Sequence, residues 1–477
     1  MAPPVSSEVF RLDAVELIRR LKARELSCIE LMEATLARID ALNPTFNAIV
    51  TRRSREDCLA EARARDSGPA SGALFGLPLA VKDLAAVKGM PMTMGSPLLE
   101  RFVPNEDSIF VERLRAAGAI LIGKTNTPEF GLGSQTFNPV YGATRNAFDP
   151  ALTAGGSSGG AAVALALKMV ALSDGSDYGG SLRNPAGWNG VYGLRPSIGR
   201  VPGDGREVWL PSMAVNGPMA RNPADLALLL SVMTGYDPRE PLSLAGDGRE
   251  FAEPLGRLKK GLRIAWAADW NGAFPCEDGV LAVCKQALKV FERLGCTVEP
   301  AVPDFSFDEL WDAFVRLRHW QASANLLPFW KDPAKRKRLK PEAQWEVECG
   351  LKLSAFDISG ASAVRTRFAH AMRRFLGDYD FMLMPTAQVF PFPVETRWPT
   401  AIAGRTMTTY HEWMKCVVPG TMMGGPALAA PAGFDSRGLP MGVQIIGRNR
   451  AELDCLRLAA AYHQVARPDL SESRFSA

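Results

Sequence analysis

Two glycine-serine segments carry residue types and spacings on which chemistry could be built. The first, Gly155-Gly-Ser157-Ser158-Gly-Gly160, directly precedes an alanine-rich run. The second, Gly175-Ser-Asp177-Tyr178-Gly179-Gly180-Ser181-Leu-Arg183-Asn-Pro185, directly follows an apolar one. Paired glycines permit backbone angles closed to other residues. A serine after such a turn stands exposed, with successive N–H groups converging on one point. That point could hold a phosphate or a developing oxyanion, and either segment taken singly reads equally well as a structural turn. No Gly-Lys-Ser/Thr follows either loop and no G-x-G-x-x-G opens the helix, so nucleotide binding is disfavoured.

A serine nucleophile needs a base to take its proton. The chain has only four histidines, His319, His370, His411 and His463, and none lies in the glycine-serine region. No two of them share metal-ligand spacing, which disfavours a zinc hydrolase. Neither a metal nor a cofactor is expected. Lys82 is the remaining candidate, at the end of the apolar run Leu77-Pro-Leu-Ala-Val81. Simple solvent exposure is the ordinary state of such a lysine. To act as a base it must be buried, because an unperturbed amine of pKa about 10.4 stays protonated at neutral pH. Lowering it to roughly 7–8 takes about 3–4 kcal/mol of differential stabilisation of the neutral form. An apolar pocket with a hydrogen bond to Ser157 could supply that.

The surrounding sequence predicts the elements that would hold these groups. Leu77–Val81 reads as a strand, Ser108 to Ala117 as a helix and Ile120–Ile122 as another strand. Ala161 to Met169 reads as a helix and Val170–Leu172 as a strand. Such alternation argues for an α/β layer with a sheet covered on both faces, and polar loops at strand ends are where chemistry is expected. Upstream, Ser27 and Glu30 form a capping box ahead of Ile29, Met32, Leu36 and Ile39, and this helix is expected to stop at Asn43-Pro44. Downstream, Leu262–Trp266, a helix from Gly279 to Leu294 and Thr297–Glu299 form a β-α-β-like unit. The boundaries that follow are 1–70 for N-terminal helices and 71–240 for a core with the catalytic residues. A variable helical and α/β segment over 241–395 borders the pocket, and 396–477 returns to the core sheet, one structural domain in all.

Composition narrows the function class. Over 477 residues, 47% are hydrophobic and 22% charged, and the net charge is +4, the profile of a soluble globular protein with no dedicated nucleic-acid surface. The basic run Lys331, Lys335, Arg336, Lys337, Arg338 and Lys340 reads as a solvated helix face. Eight scattered cysteines without a C-x-x-C pair read as reduced thiols. The N-terminus lacks a secretory pattern, and the longest apolar stretch, Ala161–Leu172, is too short to span a bilayer. A cytoplasmic protein without membrane contact is expected.

Four segments taken in order resemble the amidase signature family. They are Gly76-Leu-Pro-Leu-Ala-Val-Lys82-Asp83, Gly123-Lys-Thr-Asn126-Thr-Pro-Glu129-Phe, the Gly155–Gly160 core and the Gly175–Arg183 segment. Similarity continues through Gly193-Leu-Arg-Pro196, Gly199-Arg-Val-Pro202 and Asn216-Gly-Pro218, and resumes at Gly425–Gly433 and Pro440–Gly447. The resemblance implies an amidase-signature α/β/α fold, with a central mixed sheet covered by helices on both faces. It implies a Ser-Ser-Lys triad of Lys82 as base, Ser157 as relay and Ser181 as nucleophile. Backbone nitrogens of Tyr178, Gly179, Gly180 and Ser181 would form the oxyanion hole. Gly131 and Ser157 would line the substrate pocket, Ser158 would support the loop, and Asp177 with Arg183 would brace it.

The implied activity is hydrolysis of carbon–nitrogen amide bonds in small or aryl carboxamides, with esters or carbamates also in range, through an acyl-enzyme. Trp413, Met414, Met422 and Met423 are candidate apolar wall residues. The alternative is the amidase component of a glutamine-dependent amidotransferase complex. The chain shows Met213-Ala-Val-Asn216-Gly-Pro where that component carries Ser-Leu-Asp-Gln-x-Gly-Pro, which weighs against it. The expected partner is a small-molecule amide, with no nucleic acid, and the resemblance suggests a homodimer.

Overall fold

Short apolar runs that are buried over their whole length build the centre of the protein, which is described by a computed structural model over residues 7–203, 205, 207–210 and 213–466. The strands are β1 (Ile49–Val50), β2 (Pro78–Lys82), β3 (Ile120–Thr125), β4 (Leu172–Asp177), β5 (Tyr192–Arg195), β6 (Val215–Ala220), β7 (Arg263–Trp266), β8 (Thr297–Pro300), β9 (Phe381–Pro385), β10 (Ala427–Phe434) and β11 (Pro440–Ile446). They form one sheet of 11 strands in the order β1-β3-β2-β4-β6-β5-β10-β11-β9-β7-β8. The sheet is mixed: β3, β2 and β4 run parallel, as do β9, β7 and β8, while the strands between pair antiparallel. Every residue of β2, β3, β9 and β11 is buried, which requires cover on both faces and explains why these runs do not alternate apolar with polar.

The stretch 241–395 supplies β7, β8 and β9, so it extends the same sheet. Strands β7 and β8 are parallel and joined by the helix Val280–Arg293, the predicted β-α-β unit. The same stretch carries a long helix, Phe307–Trp330, which reaches back to the site described below. No helix among the described residues is long and apolar enough to cross a membrane.

Two local expectations are corrected. The capping box at Ser27 and Glu30 forms, but Pro44 does not end its helix, which runs from Cys28 to Phe46. A proline in a last turn forfeits only one backbone bond. Asn43 closes the end instead, its Oδ1 accepting the N–H groups of Ala48 and Ile49 at 2.9 and 2.8 Å. The alanine-rich helix spans Gly159–Ala166, starting two residues and ending three residues earlier than expected, and Lys168 turns the chain beyond its end with φ of 57°. The next strand accordingly starts at Leu172 and carries its end forward to Asp177.

Candidate active site

Lys82 is the last residue of β2, and β4 lies parallel beside it with Ala80 opposite Ser173. Parallel pairing brings the carboxyl ends of the two strands, and the loops that follow, to one edge of the sheet. The Lys82 side chain is 1% exposed. Its Nζ donates to Ser157 Oγ and Ser158 Oγ, each at 2.8 Å, and to Ser176 Oγ at 3.0 Å. The nearby Asp174 spends Oδ1 on the backbone N–H of Lys82, at 3.0 Å. Burial brings the Lys82 amine down to about 7, against the pull of Asp174 and Asp177. A substantial neutral fraction at physiological pH follows.

Ser157 and Ser158 stand immediately before the helix Gly159–Ala166, and the Gly156–Ser157 peptide bond is cis. Close packing explains one of the glycines opposite them: a Cβ on Gly175 would approach Ser158 Oγ to 2.7 Å. The serines and the lysine therefore meet only because β4 presents bare backbone at that point.

The segment after β4 is wound around Asp177. Its Oδ1 accepts the N–H of Gly180 at 2.9 Å and its Oδ2 that of Leu182 at 3.1 Å. Arg183 and Arg195 both bond the same carboxylate, and all three side chains are fully buried. Burial works to raise the Asp177 carboxyl, but the charges of Arg183 and Arg195 overrule it and hold the group well below the usual carboxylate range. One expectation changes here: the Gly180 amide, assigned to the oxyanion hole, is already engaged by Asp177. Among the described residues, the amides of Gly179 and Ser181 carry no hydrogen bond. Gly180 itself has φ of 94°, and a Cβ there would meet Val417 at 2.8 Å, so only glycine fits the turn that sets Ser181.

Ser181 is 6% exposed, and its hydroxyl makes no hydrogen bond to Ser157 among the described residues. Both serines line one cavity of about 490 Å³. Leu84, Phe130, Leu132 and Met414 give it an apolar wall, and Arg318, Gln321 and Asn325 of the long helix a polar one. A volume of this size accepts a small organic molecule.

These groups sit on a chain that matches a known sequence pattern almost end to end. The family model "Amidase" covers residues 30–456. The chain belongs to the amidase family. It is similar to an acylamidase of Rhodococcus erythropolis, 34% identical over 460 residues, covering 95% of each chain. It is similar to a glutamyl-tRNA(Gln) amidotransferase subunit of Chloroflexus aurantiacus, 34% identical over 487 residues, covering 96% of this chain and 97% of that one. Its fold matches the crystal structure of a bacterial aryl acylamidase of the amidase signature family with a TM-score of 0.88 and 29% identity, over 95% of this chain and 96% of that one. The protein is an enzyme that hydrolyses amide bonds.

Placed on this amidase, most of the sequence-predicted residues converge. Gly131 lines the cavity, and a Cβ there would lie 3.8 Å from Ser157 Oγ and 2.7 Å from Leu84 Cδ1. Tyr178 lines it too, with its ring 6.1 Å from that of Phe314. Of the four candidate wall residues only Met414 reaches the cavity. Trp413 instead stacks on Trp188 at 5.8 Å in the core, Met422 is fully buried and Met423 packs against the core, as apolar side chains do when a larger apolar surface is offered. None of the four histidines bonds Lys82, Ser157 or Ser181; His319 and His411 bind Glu346, and His463 binds Tyr192.

Sequence reasoning missed several residues. Ser176 completes the hydroxyl ring around Lys82, and Arg195 is the second cation on Asp177. Alternation along β4 carried a signal for the first, since Ser176 and Asp174 share a face. No local signal pointed to Arg195, 18 residues from its partner. Lys340, in the run read as a solvated face, is half-buried, and its Nζ donates to Leu132 O of the cavity wall at 2.6 Å.

Proposed function

We propose that Ser181 is the nucleophile, Ser157 the proton relay and Lys82 the general base of amide hydrolysis through an acyl-enzyme. The observation that carries this reading is the buried Lys82 amine, 2.8 Å from Ser157 Oγ and brought to about 7, in a cavity whose wall also holds Ser181. Neutral Lys82 takes the Ser157 proton as Ser157 takes that of Ser181, and Ser181 Oγ bonds the carbonyl carbon. The Ser181–Ser157 contact closes in the substrate complex, where catalytic hydrogen bonds tighten. Amides of Tyr178, Gly179 and Ser181 receive the developing oxyanion, the Gly180 amide being held by Asp177. The proton on Lys82 returns through Ser157 to the leaving nitrogen as the carbon–nitrogen bond breaks. Water, deprotonated by the same relay, then attacks the acyl carbon and regenerates Ser181. Ser158 hydrogen-bonds the Lys82 amine, while Asp177 and Arg183 support the loop without touching the reacting atoms.

The substrates proposed are small or aryl-substituted carboxamides, with esters and carbamates in range, matching the apolar wall and the cavity volume of about 490 Å³. Purified protein is expected to release amine from a panel of anilides and carboxamides, and a fluorophosphonate to label Ser181 in the wild type but not in Ser181→Ala. Folded protein that turned over none of the panel and took no label would overturn the assignment.

The similarity to a glutamyl-tRNA(Gln) amidotransferase subunit favours one second reading, an amidase that passes ammonia within a complex. It predicts glutaminase activity and copurification with a partner chain. Full anilide hydrolysis by the isolated chain with no glutaminase activity excludes it.

A further inference from the structure

Part of the polar wall of the cavity is one face of a single helix. Arg318, Gln321 and Asn325 are three and four residues apart on Phe307–Trp330, so they form a stripe on that helix, in a cavity also lined by Leu84, Phe130, Leu132 and Met414. The stripe begins with a guanidinium, only 6% exposed, that the protein holds on one side and leaves open on the other.

The held side is a buried network. Arg318 Nε donates to Glu346 Oε1 at 3.0 Å and Nη2 to the Tyr410 hydroxyl at 3.0 Å. His411 Nε2 lies 2.9 Å from Glu346 Oε1, and His319 Nδ1 2.6 Å from Oε2. The guanidinium carbon sits 5.1 Å from the Tyr178 ring centroid, so the plane is fixed by the ring as well as by Glu346. The open side is Nη1, which makes no hydrogen bond among the described residues, on a side chain that forms part of the cavity wall. A donor that is rigid, largely dehydrated and unpaired rewards a substrate atom that can accept from it and penalises one that cannot.

Charge decides what kind of acceptor fits. Glu346 is completely buried beside Arg318, so the cation is already neutralised where it stands. Burial drives His411 down to about 4 despite the attraction of Glu346, so that ring adds no positive charge at neutral pH. A carboxylate ligand would have to enter beside the Glu346 carboxylate, against a guanidinium already paired with it, at a cost in desolvation. A neutral carbonyl oxygen loses little on entry and gains a charge-assisted bond.

We propose that Arg318 is a specificity-determining residue, whose Nη1 edge hydrogen-bonds a second, neutral carbonyl oxygen that the substrate carries beyond the scissile amide while the apolar wall holds its hydrocarbon or aryl part. The proposal rests on the reading of this cavity as the amide-hydrolysing site and names its substrate class as amides bearing a further ketone or amide carbonyl.

The test uses full-length enzyme and paired anilides. Each pair differs only in a ketone, placed at successive positions along the acyl chain or on the amine substituent, against its methylidene isostere of the same shape. In wild type at least one ketone is expected to exceed its isostere about 10- to 100-fold in kcat/KM. In the double variant Arg318→Met/Glu346→Gln, which removes both buried charges together, that ratio should fall towards one. Should that variant fail to fold, Arg318→Lys keeps the charge but loses the planar Nη1 edge, and the same ratio should drop. Equal rates within every pair in wild type, or a ratio unchanged in a folded variant labelled by fluorophosphonate, would overturn the inference alone. A carboxylate-bearing anilide that outpaced the ketone would also overturn it. Failure of wild type to hydrolyse either member of any pair would overturn the hydrolase reading of the cavity, and this inference with it.

Discussion

Asp177 and Arg183 form a two-pronged pair, Nε to Oδ2 and Nη2 to Oδ1, both at 3.0 Å and out of reach of solvent. The same carboxylate bonds Arg195 and two backbone amides of the loop that carries Ser181. One side chain thus fixes the conformation of the segment that carries Ser181. Two cations balance it, so removing the anion leaves both unmatched.

Asp177→Asn is therefore expected to cost about 3–5 kcal/mol of stability, the scale for breaking a buried pair from one side. Urea unfolding reads the loss, and fluorophosphonate labelling of Ser181 should fall with it. The pH dependence has a definite sign. Because the folded carboxyl is held below its unfolded range, its contribution is complete above about pH 4 and drains away as pH falls further. Wild type should lose stability on acidification through that window more steeply than Asp177→Asn.

The rate profile should report Lys82. If its neutral form is the base, kcat/KM rises with pH on an acid limb centred near 7, the value to which burial brings the amine. Stability runs the same way. The unfolded lysine keeps its proton to about pH 10.4 while the folded one releases it near 7, so the unfolded chain binds the extra proton between them and stability climbs across that window. Lys82→Met should abolish turnover yet be more stable than wild type at pH 7 by about 1–3 kcal/mol, after the lost serine hydrogen bonds are counted. That advantage should shrink towards pH 10. A kcat/KM flat from pH 6 to 9 would falsify the base assignment.

Ser157 and Ser158 are equidistant from the Lys82 amine at 2.8 Å, yet only Ser157 reaches the cavity. Ser157→Ala should approach Ser181→Ala in severity, with a fall of about a thousandfold or more in kcat. Ser158→Ala loses one hydrogen bond to Lys82 and should cost about tenfold. Steady-state kinetics on one anilide distinguishes the two, and equal losses would remove the basis for choosing Ser157 as relay.

Gly131→Ala tests the cavity wall. With φ of 68° the position strains any side chain, and the new methyl would press on Leu84 and the space before Ser157. A rise in KM of about tenfold for bulky anilides, with a smaller change for acetanilide, is expected. A uniform loss across substrate sizes would place Gly131 away from the bound substrate.

Much of this was legible in the chain itself. The capping box at Ser27, the β-α-β unit around Val280–Arg293, and the strands of the α/β core all depend on neighbours close in sequence. Pro44 misled because a proline's effect depends on whether the turn it interrupts is the last one, and Asn43 takes over the closing bonds there. Met422 and Trp413 misled because apolar character cannot say whether a residue faces a cavity or the core.

Residue types and their spacing nominated the groups proposed to react, a serine after paired glycines, a second serine pair and a lysine at a strand end, and the family resemblance supplied their proposed roles. The state of those groups came from folding. Lys82 acquires its lowered affinity for a proton from dehydration among Ser157, Ser158 and Ser176, partners 75 to 94 residues away. Arg318 becomes a cavity donor only because Glu346 and Tyr410 arrive from 28 and 92 residues along the chain. Proton affinity and donor availability are set by the local dielectric and by which groups share it. Those are properties of packing in three dimensions, which no stretch of neighbouring residues encodes.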